Sequence, residues 1–298
     1  MSVINEQIYQ QIKNFIFVDK DPFDLDIKDF PKIRKDVDTL KKFYENIIIW
    51  LCKEDRAGGL AYELVSNKII AGEYATLDYS SNNYKNIADI LKKISVDEYE
   101  HAEFDEFLYH QIYKKSYDNN ISIAACEAIT QFVAEEWFEN MLLQFYIGEC
   151  HTWALQYNFI KFSNSDKKDI LKLMIAEEHY HIRLLEEIIL NHSGTFDKSV
   201  FVTACGFQRY PIIPYIENLL NIQEYNVSTK TKLENIYNNE WLQHFKLLFY
   251  EKTFPLYSKL FSETSFKDFE NTIDHYYPQT PWAILTKKQH WPKIPILL

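Results

Sequence analysis

Two short segments of the chain each place a glutamate three residues before a histidine, a spacing that suits metal binding. Glu98 and His101 form the first pair, and Glu178 and His181 form the second. Residues three apart on an α-helix share a face, so each pair can direct one carboxylate oxygen and one imidazole nitrogen at a single point. One such pair arises readily by chance in an acidic helical chain. Two pairs on alternate helices of a bundle are the arrangement of di-iron and di-manganese carboxylate sites.

The segments that carry these pairs belong to a series of long helical patterns joined by short polar loops. Periodicity and turn residues predict four long helices, over residues 32–78, 83–115, 121–161 and 166–192. The adjacent glycines Gly58 and Gly59 predict a break or kink in the first of them. Because short loops make successive helices antiparallel neighbours, the sequence predicts a four-helix bundle near residues 36–192.

The loops also select the glutamates that a dinuclear site requires from the other two helices. In an antiparallel hairpin, residues at equal distance from the loop centre lie at the same height. Reflecting the two motif glutamates through loops centred near residues 81 and 164 leads to Glu63 and Glu149. Glu73 and Glu135 are the second choices, because each would place the turn in a segment without turn residues.

The complete predicted ligand set combines four carboxylates and two imidazoles: Glu63, Glu98, His101, Glu149, Glu178 and His181. Two divalent ions balance the charge of four carboxylates, whereas the empty site would bury like charges at a high cost. Oxygen ligands with one imidazole per ion suit iron or manganese better than structural zinc. We therefore expect two iron ions as the cofactor, ahead of a mixed Fe/Mn or a di-manganese site, and we expect the metal to stabilise the fold.

An acidic residue precedes each Glu-x-x-His pair, which predicts a supporting role for Asp97 and Glu177. Metal-binding histidines commonly donate their second ring N–H to a carboxylate. The symmetry of the two motifs pairs Asp97 with His181 and Glu177 with His101 across the bundle. Four aromatic residues near the predicted site are expected to form core or pocket wall: Tyr62, Phe145, Tyr146 and Trp153.

Composition favours a helical protein and excludes several other classes. Gly 6 and Pro 9 are too few for the turns of an all-β protein or the glycine-rich turn of a dinucleotide fold. A net charge of −11 argues against nucleic acid or an anionic membrane surface as the main partner. No apolar run reaches the length of a membrane span, no signal peptide is visible, and the scattered cysteines fit a reduced compartment. The sequence therefore predicts a cytoplasmic protein.

The remaining segments are expected to belong to the same all-α domain, which would span residues 1–298. A short amphipathic helix is predicted over 4–17. Most of the prolines lie in the C-terminal part, about 195–298, where a helix is predicted over about 229–262 and an extended tail after residue 270. We expect these C-terminal helices and the tail to pack on the bundle.

At the motif residues the chain resembles the ferritin-like non-haem di-iron carboxylate superfamily, over about residues 60–185. Oxygen-activating members show a glutamate, a long spacer and then an acidic residue with Glu-x-x-His, twice. Here 33 residues separate Glu63 from Asp97, and 27 separate Glu149 from Glu177. The length and the trailing helices are most similar to the arylamine N-oxygenase family, of the aminobenzoate-oxygenase type. Where that family commonly carries a third histidine, this chain has Met174.

The resemblance implies a di-iron oxygenase that uses O2 to oxidise a small organic substrate, by N-oxygenation or hydroxylation, with electrons from a separate donor. It leaves a homodimer open. Two other interpretations compete with it. One is an iron-handling protein or ferroxidase, for which the chain is long compared with the compact subunits of storage shells. The other is a non-enzymatic helical bundle with incidental Glu-x-x-His pairs, which would bind no metal.

Overall fold

The computed structural model describes residues 37–80, 83–162, 168–208 and 240–276. Within these ranges the chain forms eight α-helices and no strand, so the all-α prediction is confirmed. The helices are α1 (Val37–Ala71), α2 (Asn83–Tyr113), α3 (Asn119–Glu135), α4 (Phe138–Phe162), α5 (Lys168–Asn191), α6 (Lys198–Gln208), α7 (Glu240–Phe261) and α8 (Phe266–Tyr276).

Helix α1 continues through Gly58 and Gly59, so the predicted break is wrong. A side chain at Gly59 would bring its Cβ within 2.9 Å of the Tyr99 ring and 3.1 Å of the Ser95 carbonyl oxygen on α2. Glycine at this position therefore lets two helix backbones approach closely. The packing gained there outweighs the lower helix propensity of glycine.

Helix α1 ends at Ala71, earlier than the predicted residue 78, because Gly72 follows it with a φ of 76°. The Gly72 N–H donates to the Ile69 carbonyl at 3.1 Å, and the Glu73 N–H donates to the Lys68 carbonyl at 3.0 Å. These two bonds form the glycine C-cap that commonly ends a helix.

The third predicted helix, over 121–161, is two helices in the structure, α3 and α4. The interruption lies at Glu136, whose backbone is extended with φ −88° and ψ 151°. Its carboxylate accepts hydrogen bonds from the Trp137 N–H at 2.9 Å and from the Asn140 side chain at 2.7 Å. The side chain of Glu136 therefore caps the start of α4. The sequence offers neither glycine nor proline there as a turn signal.

The helices divide into two groups, which we call the N-terminal half (α1–α3) and the C-terminal half (α4–α8). Helix α1 packs along α2 and α3, while α4 packs against α5, α6 and α7, and α8 covers α6 and α7. The halves meet where α1 contacts α4 and where α2 contacts α5. One continuous core, rich in tyrosine and phenylalanine, runs through both halves. The two helices that carry Glu-x-x-His therefore face each other across the junction.

Several sequence predictions fall on residues outside the described ranges. These are the helix over 4–17, the start of the helix over 229–262 and the tail beyond residue 276. The predicted extended conformation is wrong for residues 271–276, because α8 continues to Tyr276. Among the described residues, no helix combines the length and the apolar character needed to cross a membrane.

Candidate metal centre

Four buried side chains from three helices meet at the junction of the two halves. They are Glu98 on α2, Glu149 on α4, and Glu178 and His181 on α5, and one ligand atom from each lies within 4.8 Å of all the others. Their exposed fractions are 7%, 5%, 1% and 0%. Acidic residues are rarely buried unless they are paired or bind a metal. Among the described residues this is the one group of three or more such side chains with metal-binding geometry.

His101 extends this group on the side of α2. Its Nδ1 lies 3.4 Å from Glu178 Oε1 and 3.9 Å from Glu98 Oε1. The Nδ1 of His181 lies 3.2 Å from Glu149 Oε2 and 3.4 Å from Glu98 Oε1. Both imidazoles therefore direct the same nitrogen, Nδ1, toward the three converging glutamates. Five of the six predicted ligands come together, and we call these five residues the Glu/His cluster.

The other nitrogen of each histidine meets an acidic side chain from the opposite motif. His101 Nε2 lies 3.2 Å from Glu177 Oε2, and His181 Nε2 lies 3.3 Å from Asp97 Oδ2. This is the cross-pairing that the symmetry of the sequence suggests. A histidine whose Nε2–H donates to a carboxylate has its Nδ1 lone pair free for a metal.

The structure corrects one predicted ligand, Glu63. This side chain is only half-buried and lies on the outer side of α1, where it forms an ion pair with Lys92 and accepts a hydrogen bond from the Tyr99 hydroxyl at 3.1 Å. The Lys92 ammonium holds the pKa of Glu63 below its ordinary value. Loop reflection placed the ligand too far along α1, because Gly58, five residues before Glu63, lies level with Glu98.

Neither second choice reaches the Glu/His cluster. Glu73 is exposed and follows the end of α1, and Glu135 is exposed at the last turn of α3. The structure therefore brings no carboxylate from either position to the junction of the two halves.

Tyr62 and Gly58 of α1 lie directly against members of the cluster. The Tyr62 hydroxyl donates to Glu149 Oε1 at 2.5 Å, and a Cβ at Gly58 would lie 3.7 Å from Glu98 Oε2. Tyr62 is 2% exposed and stacks on Phe145 of α4 with ring centroids 3.9 Å apart. Burial, and then the charge of Glu149, raise the pKa of the Tyr62 phenol well above its ordinary value.

Two of the four aromatic residues predicted to line a pocket face away from the centre. The Tyr146 hydroxyl donates to the Lys252 carbonyl on α7 at 3.1 Å, and the Lys252 ammonium lies 4.4 Å from the centre of the Trp153 rings. Tyr62 and Phe145 are therefore the members of that set that border the Glu/His cluster.

The carboxylates of the cluster repel one another, and their charges shift the pKa values of its members. Burial, and then the charges of Glu149 and Glu98, raise the pKa of Glu178 well above its ordinary value. Burial alone would lower the pKa of His181, but Glu149 and the other carboxylates around it raise that pKa well above its ordinary value. A proton on His181 thus supplies positive charge that a metal would otherwise bring.

Three buried atoms of the cluster are suited to bind a cation. Glu98 Oε1, His101 Nδ1 and Glu178 Oε2 are inaccessible to solvent, and none of them makes a hydrogen bond of good geometry within the described chain. Buried polar atoms without partners are costly, and they are expected where a ligand binds. The donor set of carboxylate oxygens and imidazole nitrogens fits iron or manganese.

Sequence reasoning missed a second pair of buried carboxyls beside the cluster, Asp55 on α1 and Asp105 on α2. They are 6% and 2% exposed. Burial, and then the charge of Asp105, raise the pKa of Asp55 well above its ordinary value. Burial raises the pKa of Asp105 to about 7, and Glu98 adds to this rise while Asp55 and His101 oppose it. Asp105 follows His101 by four residues on the same helix face, which is the sequence signal that could have identified it.

Gln156 is another neighbour that sequence reasoning did not identify. Its side-chain Nε2 donates to Glu178 Oε1 at 3.2 Å, and the residue is 4% exposed. Gln156 lies seven residues after Glu149, which places both on one face of α4.

A comparison with protein-family models, curated proteins and solved structures finds no match to this chain. The geometry of the Glu/His cluster is therefore the basis for inferring its function.

Proposed function

We propose that the Glu/His cluster binds two iron ions and that the protein is an oxygenase, which uses O2 to oxidise a small organic substrate. One observation carries the proposal. Carboxylates and imidazoles from both halves converge in a closed interior, where Glu98 Oε1, His101 Nδ1 and Glu178 Oε2 lack hydrogen bonds. Bundle proteins with two Glu-x-x-His motifs use this arrangement to hold two iron or manganese ions.

The chemistry of the donors favours iron or manganese over zinc. The cluster offers three carboxylates and two imidazoles and no thiolate. Cys150 follows Glu149 directly, but its sulfur is not among the converging ligand atoms. Oxygen-rich sites with few imidazoles are typical of iron and manganese, whereas structural zinc prefers cysteine and histidine.

Asp97 and Glu177 would orient the two histidines. Each carboxylate accepts the Nε2–H of one imidazole, which fixes the tautomer and directs the Nδ1 lone pair inward. Because the acceptors come from the opposite motif, α2 and α5 would hold each other in register at the centre.

The apolar surroundings would exclude water from the centre. Tyr62 and Phe145 cover it from the side of α1 and α4, and Met174 is buried at 4% exposure one helical turn before Glu178. When bound, two irons supply the capacity to activate O2, which the side chains themselves lack. Dry surroundings limit side reactions of that chemistry.

The carboxyl pair Asp55 and Asp105 would supply a proton near the centre. At neutral pH the raised pKa values keep a proton on this pair, because two buried carboxyls cannot both ionise readily. Reduction of O2 consumes protons, so a protonated group close to His101 suits the proposed reaction.

Metal analysis followed by reaction with O2 tests the proposal. Protein loaded with Fe(II) in the absence of oxygen should retain about two ions per chain after desalting. Rapid mixing with O2 should then give a transient visible absorption, and one member of a panel of small arylamines and phenols should speed its decay.

Three results distinguish the alternatives. Loaded protein that stays inert to O2 contradicts the oxygenase function. Consumption of O2 with release of ferric iron and no oxidised organic product favours an iron-handling protein. Failure to retain any metal favours a non-enzymatic helical bundle.

A further inference from the structure

Tyr62 occupies the place where α1 would be expected to contribute a metal ligand. Its hydroxyl is 2.5 Å from Glu149 Oε1, and the side chain is 2% exposed. The ring stacks on Phe145 with centroids 3.9 Å apart and planes inclined by 24°, so the phenol is held against the cluster. Two oxygen atoms this close can bind the same cation.

Among the described side chains of α1, no carboxylate belongs to the group of converging ligand atoms, which draws its members from α2, α4 and α5. At the level of Glu98, α1 presents Gly58, which has no side chain. Glu63 is held on the outer side by Lys92 and Tyr99. From this part of α1, the phenolic oxygen of Tyr62 makes a hydrogen bond to a member of the cluster.

The charge of the loaded centre is compatible with a phenolate ligand. Glu98, Glu149 and Glu178 bring three negative charges to the ligand set. Asp97 and Glu177 place two further carboxylates beside the histidines, so the charge of two divalent ions does not require another anion. Bound metal ions lower the pKa of groups that coordinate them, so a metal-bound Tyr62 would add a fourth negative charge to the ligand set.

We propose that the phenolic oxygen of Tyr62 is a ligand of the metal centre, in place of the first-helix glutamate. This inference rests on the proposed metal centre and adds a ligand to it. In the metal-free protein a proton joins Tyr62 and Glu149, and metal binding releases that proton to solvent while the oxygen–metal bond forms. Asp55 is the competing source of the fourth charge, since it is the other buried acid of α1 beside the cluster.

The test uses the colour of ferric phenolate complexes. The full-length protein is loaded with Fe(II) without oxygen and then treated with hydrogen peroxide, which takes one electron from each of two Fe(II) ions and, with two protons, becomes water. This step does not depend on reactivity with O2. A broad visible band is expected, and resonance Raman excitation within it should enhance tyrosinate ring vibrations.

Matched variants assign the band to one tyrosine. Tyr62→Phe should remove the band and the ring vibrations while the protein keeps its helical circular dichroism and at least part of its iron. Tyr99→Phe is the control, because the Tyr99 hydroxyl donates to Glu63 at 3.1 Å on the outer side of the same helix pair. That variant should keep the full band. If Tyr62→Phe fails to fold, Tyr62→His, which keeps a polar ring against Phe145, should retain iron without the ring vibrations.

The outcomes separate this inference from the function on which it rests. Wild-type protein that holds two ferric ions without tyrosinate vibrations overturns the role of Tyr62 and leaves the metal centre intact. A band that persists in Tyr62→Phe assigns the phenolate to another tyrosine and also overturns it. Wild-type protein without tyrosinate vibrations, together with loss of iron in Asp55→Asn, assigns the α1 ligand to Asp55 and overturns the role of Tyr62. Wild-type protein that binds no iron contradicts the proposed function itself.

Discussion

The N-terminal and C-terminal halves carry the same sequence pattern but contribute differently to the centre. In each half one helix bears an acidic residue and Glu-x-x-His, and the preceding long helix carries the glutamate that loop reflection selects. On α4 that glutamate, Glu149, enters the cluster, whereas on α1 Glu63 faces outward and Tyr62 and Gly58 face in. The comparison shows that loop reflection finds a ligand only when the loop centre is located correctly and the helix presents the correct face.

The register of each hairpin explains why the two helices differ. Residues 51–66 of α1 and 141–156 of α4 are all buried or partly buried, so burial alone does not separate them. On α1, Gly58 lies level with Glu98, and Glu63 is five residues further along, about 7.5 Å on the helix axis. On α4, Glu149 Oε2 lies 3.2 Å from His181 Nδ1, so reflection through the second loop reached the centre.

The largest expected effect contrasts the two glutamates directly. Glu149→Gln should lose at least one of about two bound iron ions, because a converging carboxylate is replaced by a weaker neutral ligand. Glu63→Gln should retain both, because Glu63 contacts Lys92 and Tyr99 instead. Iron per chain after desalting is the measurement. Equal losses in the two variants would show that α1 and α4 contribute alike.

The next effect tests what the two halves share, the support of each histidine by an acid from the other half. Asp97→Asn and Glu177→Gln should each weaken metal binding by about 10–100-fold, as expected for loss of a carboxylate that orients a ligand histidine. Competition with a chelator measures the affinity. Glu103→Gln, an exposed site on α2, is the control and should leave affinity unchanged. A loss confined to one of the two variants would show that the halves are unequal here too.

A smaller effect concerns how closely α1 approaches α2. Gly59→Ala places a Cβ 2.9 Å from the Tyr99 ring and should destabilise the protein by about 1–3 kcal/mol. Gly58→Ala meets its nearest atom at 3.7 Å, an ordinary contact, and should gain up to about 1 kcal/mol from helix propensity. Urea unfolding of metal-free protein compares the two. Similar values for both variants would contradict the close packing of α1 on α2 at Gly59.

The smallest effect concerns the buried carboxyl pair, which belongs to the N-terminal half. The pKa of Asp105 in the folded chain, about 7, lies above its ordinary 3.8, so the native state binds its proton more tightly than the unfolded chain. The stabilisation from this proton is complete below pH 3.8 and is lost as the pH rises through about 7. Asp105→Asn should therefore remove a slope of at most about 1.4 kcal/mol per pH unit from the stability of metal-free protein.

Glu103→Gln serves as the control for this slope, because Glu103 is exposed on the same helix. Unfolding free energies measured between pH 4 and pH 8 give the profile. An Asp105→Asn profile as steep as that of the wild type would assign the pH dependence to Glu98, Glu178 or Asp55 instead.

Much of the fold could be predicted from the sequence, because scarce glycine, short polar loops and helical periodicity determine the local secondary structure. The four long helical segments and the two motifs at their centres are of this kind. The interruption at Glu136 was missed because a glutamate side chain caps α4 there without any glycine or proline. The unbroken course of α1 through Gly59 was missed because the need for glycine there comes from close packing against Tyr99 on another helix.

The candidate site was predictable to the extent that spacing along one helix determines it. Glu98 with His101 and Glu178 with His181 are fixed by a three-residue spacing, and the supporting acids follow from the symmetry of the motifs. Tyr62 and Asp55 could not be chosen in the same way, because their inward orientation depends on how α1 is rotated against α2 and α4. That rotation is set by packing across the junction of the two halves.

Diffraction from iron-loaded crystals tests the central claim most directly, by anomalous scattering measured at the iron absorption edge. Two anomalous peaks are expected between α2, α4 and α5, each within bonding distance of the carboxylates of Glu98, Glu149 or Glu178. Suppose that the protein carries its full iron content before crystallisation. The absence of a peak at the Glu/His cluster, or peaks beside Glu63 instead, would then contradict the proposed metal centre.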